Sequence, residues 1–319
     1  MKKIQKPQKI ITLLFGVVQS DAGRNINMYK LSCIVPVTRM AGELDTLESW
    51  AKESINFDLE VIIVHDIQDS LTGIELQKLV KTLNNDKIKL IEKPVTSPGL
   101  ARNLGLKVAS GHWIAFWDSD DLPQVEEVME SIAEYPNYEA IVGRYKVHDR
   151  TSNIETSSPL DKLSYWGIGE NPGLWRMLFQ RDLLGETKFS SIRMAEDQVF
   201  ISQLNLRSRK LVFTSRFLYT YYKGRPAQLT RTKINKSDLF TAFDQILMSH
   251  RKFETTKDSL SLIMSARIFL TIAKNFRHLG ILQLRSYLKS KDHKLSKSEL
   301  YILVLNIRKI ILRNRSHES

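Results

Sequence analysis

The chain has 319 residues, enough to bury a substantial core and to form one enzyme-sized domain with an appendage. With 42% hydrophobic and 26% charged residues, its composition excludes an intrinsically disordered protein. The formal net charge is +12, with the excess of Lys and Arg concentrated after residue 250, but no nucleic-acid-binding motif accompanies it. The single cysteine, Cys33, cannot form an intramolecular disulfide, which favours a reducing, cytoplasmic setting.

The first part of the chain alternates predicted strands with predicted helices. Apolar runs of strand length occupy 31–37, 59–64 and 88–91, and helical spacing occupies 44–50 and 74–83. This order predicts a parallel sheet with right-handed crossovers. Ligands of such sheets bind beyond the carboxyl ends of the strands.

The most informative stretch is 97–123. It begins with apolar residues at helical spacing that end at Gly111, and it continues as an aromatic-rich strand over 112–117. Three carboxylates follow this strand, namely Asp118, Asp120 and Asp121. Buried carboxylates need a cation or hydrogen-bond donors, and Mg²⁺ or Mn²⁺ typically takes one or two carboxylates together with phosphate oxygens. The pattern therefore predicts a Mn²⁺ or Mg²⁺ site at these three residues, with capping of the next helix as the alternative.

An ordered string of motifs in this stretch resembles the family 2 glycosyltransferases. It consists of Ala101-Arg102-Asn103-x-Gly105, then Ala109-Ser110-Gly111, then a strand that ends in Asp118-Ser119-Asp120-Asp121. The resemblance implies the α/β GT-A fold, with a Rossmann-like, mostly parallel sheet flanked by helices and a C-terminal helical extension. It also implies an inverting enzyme that moves a sugar from a nucleotide-diphosphate sugar, UDP-linked, to an acceptor hydroxyl.

The resemblance assigns donor-binding positions residue by residue. They are Pro36, Val37, Thr38, Asp66, Arg102, Asp118, Ser119 and Arg225. A carboxylate such as Asp66 accepts a hydrogen bond from uracil N3, and a cation such as Arg225 neutralises diphosphate charge. The alternatives are that Asp66 starts a turn and that Arg102 is a solvated helix residue.

The resemblance continues to Glu196-Asp197, at the start of an apolar helical pattern. An acidic residue at the match to Asp197 is the catalytic base of this family, whereas the alternative is that the pair caps the helix. Between these motifs, 151–159 is expected to be an exposed loop. Three aromatic residues, Trp166, Trp175 and Phe179, are candidates either for sugar stacking or for the core.

Three regions are predicted: an N-terminal extension over 1–29, a GT-A catalytic domain over 30–235 and a basic helical region over 236–319. Within the last, 296–299 is a capping box before an amphipathic basic helix. That helix either lies on an anionic membrane surface or packs on the catalytic domain. The predicted location is the cytoplasm, peripheral to the membrane, with a glycan or glycolipid acceptor in bacterial surface polysaccharide or lipopolysaccharide synthesis.

Two other classes of protein also pair a parallel sheet with carboxylates. A nucleotidyltransferase usually has a Gly-rich basic loop after the first strand, which 36–42 does not supply. In a non-catalytic nucleotide-sugar-binding module, Asp118, Asp120 and Asp197 would only cap helices. Replacing them with Asn would then leave sugar transfer unchanged.

Overall fold

The computed structural model describes residues 29–224, 235–253, 259–289 and 295–316. Two of the sequence predictions, Arg225 and the extension over 1–29 apart from its last residue, lie outside the described residues. The strands are β1 (Leu31–Val37), β2 (Leu59–Asp66), β3 (Ile88–Lys93), β4 (Trp113–Phe116), β5 (Leu122–Pro123), β6 (Ala140–Asp149), β7 (Ile154–Ser157), β8 (Met177–Gln180) and β9 (Leu211–Lys223). The helices are α1 (Asp45–Ser54), α2 (Ser70–Leu83), α3 (Pro98–Val108), α4 (Val125–Glu134), α5 (Tyr165–Glu170), α6 (Arg181–Leu184), α7 (Glu196–Gln203), α8 (Lys236–Phe253), α9 (Leu260–Lys289) and α10 (Lys297–Ser316).

The described strands form one curled sheet in the order β3-β2-β1-β4-β8-β6-β9-β5, with β7 paired to β6. The strands β3, β2, β1 and β4 are parallel, as the alternation of strands and helices predicts. At β8 the direction reverses, because β8 is antiparallel to both β4 and β6. The carboxyl ends of β1, β2 and β4 therefore meet at one edge, where ligands of α/β sheets bind.

Helix α3 lies unusually close to β1, and glycines permit the approach. A Cβ added at Gly105 would lie 2.4 Å from the Ile34 side chain, and one at Gly111 would lie 2.4 Å from the backbone nitrogen of Ser32. The Ser32 hydroxyl accepts from Gly111 N at 2.6 Å and donates to the buried Glu60 carboxylate. The small residues of the motif thus fix the connection from α3 to β4.

The helices after residue 235 share a hydrophobic core with one face of the sheet. Phe243 of α8, Ile272 of α9 and Ile310 of α10 belong to the same buried cluster as Ile34 and Phe116 of the sheet. The basic helical region therefore packs against the strands instead of extending away from them. None of the described helices combines the length and apolar character that a bilayer span requires.

One segment differs from its predicted structure. Residues 151–159, expected to be a loop, contain strand β7, which pairs antiparallel with β6. Every residue of β7 is exposed, so the strand has no buried face. Backbone pairing and an ion pair between Lys146 and Glu155 at 3.0 Å join it to β6, and neither leaves a hydrophobic pattern in the sequence.

Candidate active site

The site is built around Arg102, a buried residue of α3. Its Nη2 donates to Asp118 Oδ1 at 2.9 Å, and its Nη1 donates to Glu196 Oε1 at 2.8 Å. Asp118 follows β4, whereas Glu196 is the first residue of α7. One guanidinium therefore joins two acidic segments that are far apart in the sequence. Charge-assisted bonds of this kind are among the strongest that side chains make.

The neighbouring residue of the motif reinforces the same junction. Asn103 Nδ2 donates to the carbonyl of Phe189 at 2.9 Å, and Asn103 Oδ1 accepts from the backbone nitrogen of Phe189 at 2.8 Å. The Phe189 ring stacks on Phe200 of α7 and lies 5.5 Å from the Arg102 guanidinium. Helix α3 thus holds both the start of α7 and the chain that leads into it.

The protonation equilibria of the site reflect burial and crowded charge. Burial alone would lower the pKa of Arg102, but the carboxylates of Asp118 and Glu196 raise it. Burial raises the pKa of Glu196 to about 7, although Arg102 opposes the shift. Burial, and then repulsion from Asp120, raise the pKa of Asp118. The cleft therefore favours either bound protons or additional positive charge.

The three predicted metal ligands do not face the same way. Asp118 and Asp120 are half-buried at the carboxyl end of β4, on the ligand-binding edge. Asp121, by contrast, is fully buried, and its Oδ1 accepts from Tyr222 N of β9 at 2.7 Å. This bond ties Asp121 to β9, so the residue has a structural use. Ser119, predicted to contact the donor, is also buried.

The described residues contain no group of three or more His, Cys, Asp or Glu side chains that could hold a metal by itself. A Mn²⁺ or Mg²⁺ ion does not need such a group when a diphosphate is present, since one or two carboxylates then suffice. Asp118 and Asp120 are two hard oxygen donors in a cleft that favours added positive charge. These two residues therefore fit a divalent cation that is completed by substrate oxygens.

Asp197 is the second residue of α7 and is half-buried. Its Oδ1 accepts from the backbone nitrogen of Gln198 at 2.7 Å. The residue that begins the turn before it, Ala195, has φ of +63°, in the left-handed region that non-glycine residues seldom adopt. Burial raises the pKa of Asp197, and repulsion from Asp197 contributes to the raised pKa of Asp118. Arg102 contacts both Asp118 and Glu196, the residue before Asp197, so the start of α7 lies close to Asp118.

The predicted base-binding residues lie at the same edge. Pro36, Val37 and Thr38 form the end of β1 and the loop after it, and Asp66 ends β2. Asp66 Oδ1 accepts from Gln68 N and from Val95 N, both at 3.3 Å. Asp66 therefore does organise a turn, which was the alternative interpretation, while it also lies at the ligand-binding edge.

The aromatic candidates divide between core and cleft. Phe179 is fully buried. Trp175 is half-buried and stacks on Tyr219 and Tyr221 of β9, with ring centroids 4.9 and 6.0 Å apart. The Tyr219 hydroxyl in turn accepts from Asp118 N at 3.0 Å. Trp175 thus joins a stack that supports the acidic segment.

Two functional features escape the sequence motifs. Glu196 was predicted only as part of a cap, yet it is the second anion on Arg102. The positive charge of Arg267 in α9 opposes the rise in the pKa of Asp197, and its Nη1 donates to the carbonyl of Glu170. A signal for Arg267 exists in the sequence, since it is the single charged residue of 260–273.

This arrangement, a curled α/β sheet with acidic residues at the carboxyl ends of its parallel strands, defines a GT-A type of glycosyltransferase fold. The structure is similar to that of S. aureus TarS 1-349 in complex with UDP-GlcNAc, with a TM-score of 0.62 and 18% identity over 88% of this chain and 80% of that chain. It is also similar to mannosyltransferase PcManGT from Pyrobaculum calidifontis in complex with GDP-Man and Mn²⁺, with a TM-score of 0.51 and 13% identity over 89% of this chain and 87% of that chain.

Residues 32–197 match the sequence profile of glycosyl transferase family 2, and the chain belongs to that family. It is 24% identical over 225 residues to the cholesterol galactosyltransferase of Borreliella burgdorferi, covering 62% of this chain and 61% of that protein. It is also 24% identical over 210 residues to the poly(ribitol-phosphate) beta-N-acetylglucosaminyltransferase TarP of Staphylococcus aureus, covering 61% of this chain and 62% of that protein. The match thus spans less than two thirds of either relative. Membership of this family favours the glycosyltransferase prediction over the nucleotidyltransferase alternative.

Replacing Arg102 with Met is expected to lower the free energy of unfolding by roughly 4 kcal/mol, because the buried Glu196 and the half-buried Asp118 lose their cation. Urea denaturation at pH 7.5 measures this loss. The matched control is Arg216→Met, since Arg216 also contacts several carboxylates but does so at the surface. Arg216→Met should lower the free energy of unfolding much less than Arg102→Met does, because surface ion pairs contribute little. Equal losses in the two variants would show that the Arg102 bridge does not stabilise the fold.

Proposed function

We propose that the protein transfers a sugar from a UDP-linked donor to an acceptor hydroxyl with inversion at the anomeric carbon, in bacterial surface polysaccharide or lipopolysaccharide synthesis. The observation that carries the proposal is the Arg102 bridge, which places Asp118 and the start of α7 in one cleft. The TarS complex with UDP-GlcNAc and the wall-polymer relatives support the donor and the pathway class.

The end of β1 and Asp66 are proposed to receive the nucleotide base. Asp66 Oδ1 accepts hydrogen bonds from two backbone nitrogens. Among the described residues, no group donates a hydrogen bond to Asp66 Oδ2. That oxygen can accept from uracil N3. Arg102, whose Nη atoms both contact carboxylates, is proposed to act on the donor chiefly by holding Asp118 in place.

Asp118 and Asp120 are proposed to hold Mn²⁺ or Mg²⁺ together with the donor diphosphate. The ion, when bound, supplies Lewis-acid stabilisation of the negative charge that grows on the leaving diphosphate. The PcManGT complex, which contains Mn²⁺, supports a metal in this fold. Asp121 is left out of this ligand set because it is buried against β9.

Asp197 is proposed to take the proton from the acceptor hydroxyl as that oxygen attacks the anomeric carbon. Apart from the Gln198 backbone nitrogen, no described residue bonds to its carboxylate, so the group is available to a substrate. A raised pKa makes a carboxylate a stronger base. A single displacement from the face opposite the leaving group inverts the configuration, as in inverting glycosidases.

The donor site is tested by calorimetric titration with UDP. Wild-type protein is expected to bind UDP more tightly with Mn²⁺ than without it, and Asp120→Asn to lose the metal-dependent part because one metal ligand is removed. The control is Asp86→Asn, an exposed position in the turn before β3. Metal-dependent binding that is intact in Asp120→Asn would contradict the assignment of the metal site.

The base is tested through Asp197→Asn. This variant is expected to bind UDP like wild type and to lose transfer by at least about 100-fold, the usual contribution of a general base. In wild type, kcat/KM should rise with pH through the pKa of Asp197, because only the ionised carboxylate accepts a proton. Burial raises that pKa, so the midpoint should lie above the usual aspartate value of about 3.9. A variant that transfers sugar at the wild-type rate would indicate a non-catalytic Asp197.

A second proposal concerns the membrane. Helix α10 buries one face through Leu303 and Ile310, yet its other face exposes apolar side chains. These are Leu300, Tyr301, Val304, Leu305, Ile311 and Leu312. Exposed Arg308 lies within this face and exposed Lys309 beside it, and a groove of about 530 Å³ runs along it. Apolar side chains between cations suit an anionic bilayer surface.

The membrane proposal predicts that replacing both Leu305 and Leu312 with Ser reduces co-sedimentation with vesicles of phosphatidylglycerol and phosphatidylcholine several-fold, because the apolar part of the contact is lost. The control is Leu71→Ser, which changes an even more exposed leucine on α2. Added salt should weaken wild-type binding. Co-sedimentation that is unchanged in the double variant would exclude α10 as the contact.

A further inference from the structure

The β1 loop, residues 38–42, follows the end of β1 that is proposed to receive the nucleotide base. The backbone pairing of β1 with β2 ends at Val37 and His65, just before this loop. Three backbone nitrogens of the loop donate to side chains at the cap and in the first turns of α2. The pairs are Arg39 with Asp69, Met40 with Thr72 at 2.9 Å and Gly42 with Glu75 at 2.8 Å. The conformation of the loop therefore depends on how β1 and α2 are held together.

His65 connects the end of β1 to the start of α2. Its ring is buried, with 1% exposure. The ring Nδ1 lies 3.1 Å from the carbonyl oxygen of Val37, and Nε2 lies 3.0 Å from the carbonyl oxygen of Asp69. A carbonyl oxygen only accepts, so a ring nitrogen that carries hydrogen donates to it. The Asp69 oxygen also accepts from the backbone nitrogen of Gly73 at 3.1 Å, and so it keeps a donor without the ring.

A glycine in α2 makes room for the His65 ring. Gly73 lies within the helix, although glycine is a poor helix former. A Cβ added at Gly73 would lie 2.9 Å from His65 Nε2, which is too close unless the ring moves. The ring cannot move away without changing its distances to the carbonyl oxygens of Val37 and Asp69. Gly73 and His65 are therefore packed as a pair.

We propose that His65 is a positioning residue for donor binding, whose Nδ1 holds the Val37 carbonyl and so keeps the β1 loop in the conformation that receives the nucleotide base. The inference rests on the proposed role of Pro36, Val37 and Thr38 in base binding. The loop needs such support, because Arg39 has a φ of +55°, a left-handed conformation that costs energy in a non-glycine residue. Without the ring, the loop spends part of its time in other conformations, and the apparent affinity for the donor falls with the competent fraction.

The test is calorimetric titration of the full chain, in the presence of Mn²⁺, with two probes. UDP carries the base, whereas inorganic pyrophosphate does not. In His65→Leu, the dissociation constant for UDP is expected to rise roughly 10-fold, because a buried hydrogen bond is lost. The dissociation constant for pyrophosphate should stay at the wild-type value. Equal losses for the two probes, or UDP binding at the wild-type level, would overturn the proposal.

Two further variants separate positioning from general stability. His65→Asn places an amide nitrogen near the position of Nδ1 and should recover most of the UDP affinity that His65→Leu loses. Gly73→Ala puts a better helix former into α2, yet it should weaken UDP binding because the ring is displaced. Either His65→Asn with no recovery or Gly73→Ala with wild-type UDP affinity would contradict the role of the ring. Gly73→Ala also gives the answer if His65→Leu does not fold.

The matched control is His250→Leu, which removes another buried histidine. The Nδ1 of His250 lies 2.8 Å from Ser259 Oγ, at a contact between the end of α8 and the start of α9. This variant should bind both probes like wild type. A loss of UDP affinity in His250→Leu as large as that in His65→Leu would show that any buried histidine has this effect, and would contradict a specific role for His65.

Amide hydrogen exchange without nucleotide separates this inference from the proposed function. The amides of Arg39 and Met40 donate to α2, so they should exchange faster in His65→Leu than in wild type, whether or not the protein binds UDP. Unchanged exchange of these amides would overturn the role of His65. Faster exchange in a protein whose wild type does not bind UDP would support the role of His65 in the loop and contradict the proposed base site.

Discussion

The fold of this family 2 chain depends on one buried cation between two carboxylates. Arg102 contacts Asp118 at 2.9 Å and Glu196 at 2.8 Å. Asp118 follows β4, and Glu196 is the first residue of α7. The folded state is destabilised when a buried guanidinium loses either of its carboxylate partners. The ion pairs with Asp118 and Glu196 therefore hold the end of β4 and the start of α7 next to α3. The glycines of the same motif let α3 approach β1 closely enough for this geometry. The motif over 101–111 therefore determines how α3 packs on the sheet as well as which charged groups meet at the site.

The Arg102 ion pairs also offset part of the negative charge that several carboxylates bring to the cleft. Burial and mutual repulsion raise the pKa values of Asp118, Glu196 and Asp197, so the cleft without ligand favours protons or cations. A divalent ion with a donor diphosphate would meet that preference at one end of the cleft. Helices α8, α9 and α10 share their core with the sheet, so the basic C-terminal region and the sheet form one packed unit.

The sequence predicted the parallel strands well, because each is a nearly continuous apolar run between turn residues. It also located the acidic cluster after β4. It did not predict that Asp121 faces inward, since the partner is Tyr222, which lies far along the chain in β9. The role of Glu196 was missed for the same reason, because a local pattern shows a helix start but not the residue opposite it. Strand β7 was missed because it has no buried face.

The central claim is that the carboxyl ends of β1, β2 and β4, together with the start of α7, form a nucleotide-sugar site. A crystal structure of the protein with UDP and Mn²⁺ tests it most directly. We expect the uracil beside Asp66, the ion between the diphosphate and the carboxylates of Asp118 and Asp120, and the Asp197 carboxylate across the space left for the sugar. UDP bound elsewhere, or an ion that contacts neither Asp118 nor Asp120, would contradict this account.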